Sequence, residues 1–409
     1  MNLKPNALRA LCAALAAAWI AAGLAGCGRS APPRAQLNLA LAVFPGEAAR
    51  YARVVAPFEL AHRARVNIVA QSYGDILEAI RVQARARRGS LDLAELDLAM
   101  LGEARPAAAA LDGLVTPAVQ SLFSGPAWAA ATANDHIYFV PHRLMWQAMI
   151  YNRLEVPDPP RTWDDLAHFA RAHPGKLALK AARYEGAMCD AMTFVWSAGG
   201  RACDPQSPGS LRAFDLLHSL APSRNDESAV FREMSILEAQ ARGSVWIHFN
   251  WPFAIGYLKS KGLAPGVDLS APIPAGPGGS ATALGGGYLA IPRSAPHRAL
   301  ARAFLAWLLT PETQRRLGRE LGWYGSIAPP PGSEDAILYA GFSAMRDRVR
   351  ARPTVVCYAQ LSNRWQRATR AVLFRGAPPR AALAGIYQGA ASARFGDSAD
   401  ARCCAGLER

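Results

Sequence analysis

Between Leu37 and Leu101 the chain alternates apolar, strand-like runs with helical stripes, and this alternation restricts the fold more than any other feature. Leu37 to Val43 reads as a first strand. Tyr51, Val54, Val55 and Phe58 stand at i, i+3, i+4 and i+7, the stripe of an amphipathic helix, with Pro57 limiting or kinking it. Val66 to Ala70 is a second strand. Asp75 is placed to cap a helix carrying Leu77, Ile80 and Ala84. Leu91 to Leu101 is a third apolar segment, interrupted by Asp92, Glu95 and Asp97, and acids inside a buried strand need partners or solvent. The order β-α-β-α-β predicts an α/β fold with parallel pairing. At 409 residues the chain exceeds one ordinary core, which predicts two lobes.

The same alternation continues downstream. Ile137–Val140 and Ala148–Tyr151 read as strands around Pro141, and Thr162 caps a helix that opens Trp163-Asp164-Asp165. Phe194 to Ser197 closes a helix at Gly199-Gly200. Val245 to Phe249 reads as a buried strand, followed by a turn-prone Asn250, then Trp251 and Pro252. A ring delivered at a strand end is one way to line a cleft in an α/β fold, and burial in plain core is the equal alternative. Tyr288 to Ile291 is a strand. Leu300, Ala303, Phe304, Trp307 and Leu308 form a helix stripe that restarts at Thr310-Pro311, and Leu361, Trp365, Ala368 and Val372 form another.

Lys4 and Arg9, the apolar run Leu11 to Ala25, and Leu24-Ala25-Gly26-Cys27 resemble the signal peptide and lipobox of bacterial lipoproteins. That resemblance implies a signal peptide at residues 1–26, lipidation of Cys27 and a tether over 27–36. Gly28 leaves open which membrane carries the anchor. The seven cysteines become five once Cys12 is removed and Cys27 is lipidated. In an oxidising compartment Cys189 and Cys203 are then the natural disulfide, with no defined pairing for Cys357, Cys403 and Cys404.

The formal net charge is +14, yet the runs Arg85, Arg87, Arg88 and Arg346, Arg348, Arg350, Arg352 read as solvated helix faces, so no nucleic-acid partner is expected. The Pro/Gly loop from Pro272 to Ser280 lacks a phosphate-cradling pattern, and no spacing suits zinc, so neither cofactor nor metal is expected. Hydrolase patterns such as GxSxG and HExxH are absent.

Several segments, in order, resemble the extracellular solute-binding proteins of ABC importers, and more narrowly their trehalose/maltose-type sugar-binding branch. RGSLDLAELDLAML with LDGLVTP resembles the branch's third strand and following loop. VPHRLMWQAMIYN resembles its first hinge crossing, and PPRTWDDL its P-x-T-W-D-E-L. YEGAMCDAMTFVWSAGG and GSVWIHFNWPFA resemble the segments carrying stacking rings. LGGGYLAIP and AFLAWLLTPETQ resemble the second crossing and its helix, and RPTVVCYAQLSNRWQ the C-terminal helices. The resemblance implies a two-lobed periplasmic-binding-protein-like (type II) α/β fold with a three-segment hinge. Lobe 1 would take residues 37–143 and 290–326, lobe 2 residues 147–284 and 330–398, with a tail over 399–409.

By position, the resemblance implies that Asp97 accepts hydrogen bonds from sugar hydroxyls, that Trp251 stacks on a pyranose face, and that Trp196 lies near a second such ring. Tyr73, Arg143, Tyr288 and Trp323 fall near cleft segments. The implied protein is a lipid-anchored monomer facing the periplasm or cell exterior. It would capture a small solute, a sugar or sugar derivative, and deliver it to permease transmembrane subunits without catalysis. Two positions depart from the branch: Met145 replaces a carboxylate and Gly287 a Trp, so a smaller, more apolar or anionic ligand fits the sequence better than a disaccharide. The alternatives are a secreted carbohydrate-active hydrolase, for which Asp92, Glu95 and Asp97 would be the carboxylates, and a ligand-binding partner of a membrane sensor.

Overall fold

The computed structural model describes residues 35–43, 45–261, 268–355, 357–386 and 403–404. The expected signal peptide, Cys27 and the tether up to Arg34 lie outside the described residues, as does most of the tail. Strands β1 (Ala35–Leu41), β2 (Ala64–Ala70) and β3 (Leu93–Asp97) are parallel, with β1 in the middle. The short β4 (Thr132–Ala133) and β5 (His136–Ile137) pair with each other. The next strand, β6 (Val140–Trp146), leads through Gln147 into β7 (Ala148–Asn152), which lies between β8 (Ile247–Asn250) and β9 (Asp268–Ala271) in a second sheet. Strand β10 (Thr282–Ala290) returns to the first sheet, antiparallel to both β3 and β6, and β11 (Val349–Arg350) pairs with its start. Two sheets, each with its own helices, thus make two lobes, and the chain passes between them three times.

Burial explains the first lobe. Leu37, Leu39 and Leu41 are fully buried, and the Pro45–His62 helix turns Tyr51, Val54, Val55 and Phe58 onto the sheet, as their spacing predicts. Pro57 sits inside that helix on its solvent side without ending it. The carbonyl that loses its helical donor, Arg53, instead accepts from Arg316 Nη2 at 3.2 Å. Ser72, not Asp75, caps the Tyr73–Ala86 helix; Asp75 lies in its first turn and donates its backbone N–H to the Ser72 hydroxyl. The Thr162 cap stands, with Asp165 completing a capping box.

Two strand readings change. The segment expected to end at Val140 begins there and runs through Pro141 to Trp146. Proline is tolerated because the register against β10 slips: Tyr288 faces Pro141 and Gly287 faces Arg143, leaving His142 as an extra residue. Asn250 is the last residue of β8 rather than a turn. Its fully buried side chain accepts from the Trp251 N–H at 2.9 Å and donates to the Glu233 carbonyl at 3.1 Å.

The Cys189–Cys203 disulfide is corrected. The bridges are Cys203–Cys403 and Cys357–Cys404, and Cys189 is a buried free thiol. Cys189 lies inside the Glu185–Ser197 helix and packs against Trp251 and Ala283, whereas Cys203 lies beyond the helix end. Nearness in sequence favoured the short loop, but the two adjacent cysteines 403 and 404 instead staple distant parts of the fold. On the chain-entropy model the 200-residue separation of Cys203 and Cys403 constrains the unfolded chain by up to about 5 kcal/mol.

Candidate functional site

All three acids of the third apolar segment are partnered. Asp92 is fully buried and accepts from the backbone N–H groups of Asn38 and His297. Glu95, also fully buried, accepts from the Ala42 N–H at 3.0 Å, from His142 Nδ1 at 2.8 Å and from Arg143 Nη2 at 3.3 Å. His142 Nε2 meets the Tyr51 hydroxyl at 2.8 Å. Asp97 closes β3 and caps the following turn through the Ala99 N–H at 2.8 Å, leaving its carboxylate partly open.

Burial pushes the Glu95 carboxyl up, but the Arg143 guanidinium and the His142 hydrogen bond outweigh it and hold it at about 2. A depressed carboxylate contributes stability that is complete above its unfolded pKa and is lost as pH falls through the folded value. Between about pH 4.5 and 2 the wild type is expected to lose about 3 kcal/mol through this group. Melting curves across that window, compared with Glu95→Gln, check it: the variant should lack this part of the acid sensitivity, and equal slopes would remove Glu95 as its source.

Arg143 is engaged through its terminal nitrogens, while its buried Nε meets no acceptor among the described residues. It donates to the Ala42 carbonyl at 2.7 Å and the Tyr73 hydroxyl at 2.9 Å, lies 3.7 Å from Glu47, and stacks over Trp323 at 4.9 Å. Three glycines of β10 make room for these contacts. A methyl on Gly287 would sit 2.0 Å from Glu95 Oε1, one on Gly286 would sit 1.8 Å from the Arg143 carbonyl, and one on Gly285 would sit 2.7 Å from the Trp251 ring. The missing Trp at position 287 therefore has a cause: the Glu95 carboxylate that binds Arg143 occupies its space.

From the second lobe, Trp251 packs with Cys189 and Ala283, and Met145 and the half-buried Trp196 lie against the same cluster. Gly285 beneath the Trp251 ring is paired with Met145, and Gly287, two residues on, is paired with Asp97. The acid of the first lobe and the ring of the second are thus carried about 7 Å apart along one strand. Below them, Gln147 at the first crossing donates to Asp190 at 2.8 Å, and Asp190 pairs with the fully buried Lys180 at 2.7 Å. Burial and the Lys180 charge push the nearby His248 down to about 3, so it is neutral.

Arg352 closes the arrangement. It is 2% exposed and donates to Asp97 Oδ1 at 3.2 Å and to Glu185 Oε1 at 2.5 Å. Glu185 begins the helix that carries Cys189 and also accepts from the Tyr358 and Ser362 hydroxyls. The run 346–352 is therefore not a uniform solvated face, because its last arginine is core.

Asp97 and Trp251 are thus held against positions two residues apart on β10, with Trp196 packed against the Trp251 cluster. Tyr73, Arg143 and Trp323 form a knot on the first-lobe side of it. Tyr288 does not belong with them: it is fully buried and its hydroxyl donates to the Ala127 carbonyl at 3.2 Å. Reading the sequence missed Arg352, Glu185 and the free Cys189. The first was hidden in an arginine run and the last in an expected disulfide; only the position of Glu185, inside a segment resembling the ring-bearing one, was a signal. Among the described residues no group of three or more His, Cys, Asp and Glu could hold a metal ion, and no helix is long and apolar enough to cross a membrane.

Known proteins share this architecture. A maltose-bound protein of T. maritima superimposes with a TM-score of 0.73 at 21% identity, over 86% of this chain and 98% of that one. A solute-binding protein of Thermotoga lettingae bound with α-D-tagatose gives 0.70 at 20% identity, over 86% and 97%. A probable ABC transporter-binding protein of Deinococcus radiodurans is 26% identical over 253 residues, which are 55% of this chain and 60% of that relative, so the match spans about three fifths of the relative's length. The profile of the bacterial extracellular solute-binding protein family matches residues 53–341, more than two thirds of the chain. On that match, and on the two-lobed fold that accompanies it, the chain belongs to the bacterial extracellular solute-binding protein family.

Proposed function

We propose that this chain is the solute-binding component of an ABC importer, taking up a neutral, hydroxyl-rich solute such as a compact sugar or polyol and passing it unchanged to a permease. The observation that supports this reading is the Asp97–Arg352 pair, with Asp97 facing Gly287, two residues along β10 from the Gly285 on which the Trp251 ring, packed with Trp196, rests. Flat apolar faces suit the C–H side of a sugar, and charged groups suit its hydroxyls. The anionic ligand that Met145 and Arg143 suggested is disfavoured, because Arg143 is already neutralised by Glu95 and Glu47. Around the guanidiniums of Arg143 and Arg352 stand four carboxylates: Glu47, Glu95, Asp97 and Glu185. A lipid on Cys27 would hold the protein at the membrane as a monomer beside its permease.

A hydrolase is the weaker reading. Asp92 and Glu95 are buried and fully engaged, so neither is placed to act as an acid or a base toward a substrate. Thermal shift of the mature chain against maltose, glucose, ribitol and glucose 6-phosphate tests the proposal. A neutral member should raise the melting temperature in proportion to ln(1+[L]/Kd), and the phosphate should not. A shift from the phosphate alone would contradict it.

A further inference from the structure

We propose that Arg352 is an interlobe clasp: it positions the Asp97 carboxylate and holds the lobes together before any solute arrives. Asp97 ends a strand of the first sheet, whereas Glu185 opens a helix of the second lobe, and Arg352 binds both. Its own backbone follows β11, which pairs with the start of β10 where the chain re-enters the first sheet. A guanidinium this buried needs its charge paired, so parting the lobes strips it of one of its two carboxylates. The second-lobe end of the clasp is built in advance. Tyr358 and Ser362 orient Glu185, and the Cys357–Cys404 bridge fixes the chain immediately before Tyr358.

One donor remains unused. Arg352 Nε is buried and meets no acceptor among the described residues. An orphan donor is costly to leave unmade, and it stands beside Asp97, the acceptor proposed for solute hydroxyls. A solute hydroxyl could then accept from Nε while donating to Asp97, so the clasp would tighten on the ligand instead of being displaced by it. This last step rests on the solute-binding reading; the clasp itself does not.

Small-angle scattering of the mature, ligand-free chain tests it with Arg352→Gln, Glu185→Gln and Asp97→Asn. A clasp predicts that each single variant expands the particle, and that Arg352→Gln combined with Glu185→Gln expands it no further. Profiles that superimpose on the wild type overturn the proposal. So does expansion in Arg352→Gln and Glu185→Gln but not in Asp97→Asn, which would confine Arg352 to a role within the second lobe. Where Arg352→Gln fails to fold, Asp97→Asn decides alone, since it removes only the first-lobe end and leaves the Arg352–Glu185 pair in place. With whichever of maltose, glucose or ribitol binds the wild type, Arg352→Gln should bind about 10- to 100-fold more weakly. If none of the three binds, the transport reading fails while the scattering result stands.

Discussion

Replacing Gly287 by Ala is expected to destabilise the first lobe by about 3–5 kcal/mol. The new methyl would lie 2.0 Å from Glu95 Oε1, and that carboxylate cannot swing aside without giving up Ala42, His142 and Arg143. Arg143 would then be buried beside Glu47 alone, at 3.7 Å. Gly287→Trp, which restores the residue usual in the sugar-binding branch, should be worse still. Denaturant unfolding measures the loss, with Gly256→Ala as the control. Gly256 lies in a helix with nothing within 4 Å of an added methyl, so that change should be neutral or stabilise slightly. Equal stability of the two variants would mean that Glu95 does not fill the space above Gly287.

Replacing Trp251 by Ala is expected to weaken solute binding severely. Once the lobes part to uncover the ring, about 100 Å² of ring face lost to the ligand corresponds to about 2.5 kcal/mol, or a factor near 70 in affinity. The ring is only 8% exposed and rests on Gly285, so the same change should lower stability by about 3 kcal/mol. Titration therefore has to be paired with an unfolding curve. Trp251→Phe, which keeps a smaller ring, should retain part of both. An Ala variant that is folded and binds as tightly as the wild type would leave Trp251 as core alone.

Periodicity carried the first lobe well. The stripe Tyr51, Val54, Val55 and Phe58 and the alternating leucines of β1 face the core because spacing alone decides which side of an element is buried. Where long-range partners decide, local signals fall short. Pro141 passes through a strand because a bulge against β10 removes the need for its N–H. Pro57 stays within a helix because Arg316, distant in sequence, takes the orphan carbonyl. The Cys403 and Cys404 pairings join segments that nothing local brings together. The candidate site divides the same way. Trp251 was singled out by its place after a strand end and Asp97 by the resemblance, but the arginine that joins Asp97 to the other lobe comes 255 residues later and lies in a run that composition marks as surface.

On the proposed function, two hinged lobes hold a neutral, hydroxyl-rich solute and release it chemically unchanged. Proton NMR of maltose, glucose, ribitol and glucose 6-phosphate, followed for a day in the presence of the mature chain, tests it most directly. One neutral member should broaden on addition of protein, with its chemical shifts and total intensity constant throughout. New product resonances, or broadening confined to the phosphate, would rule out binding of a neutral solute without turnover.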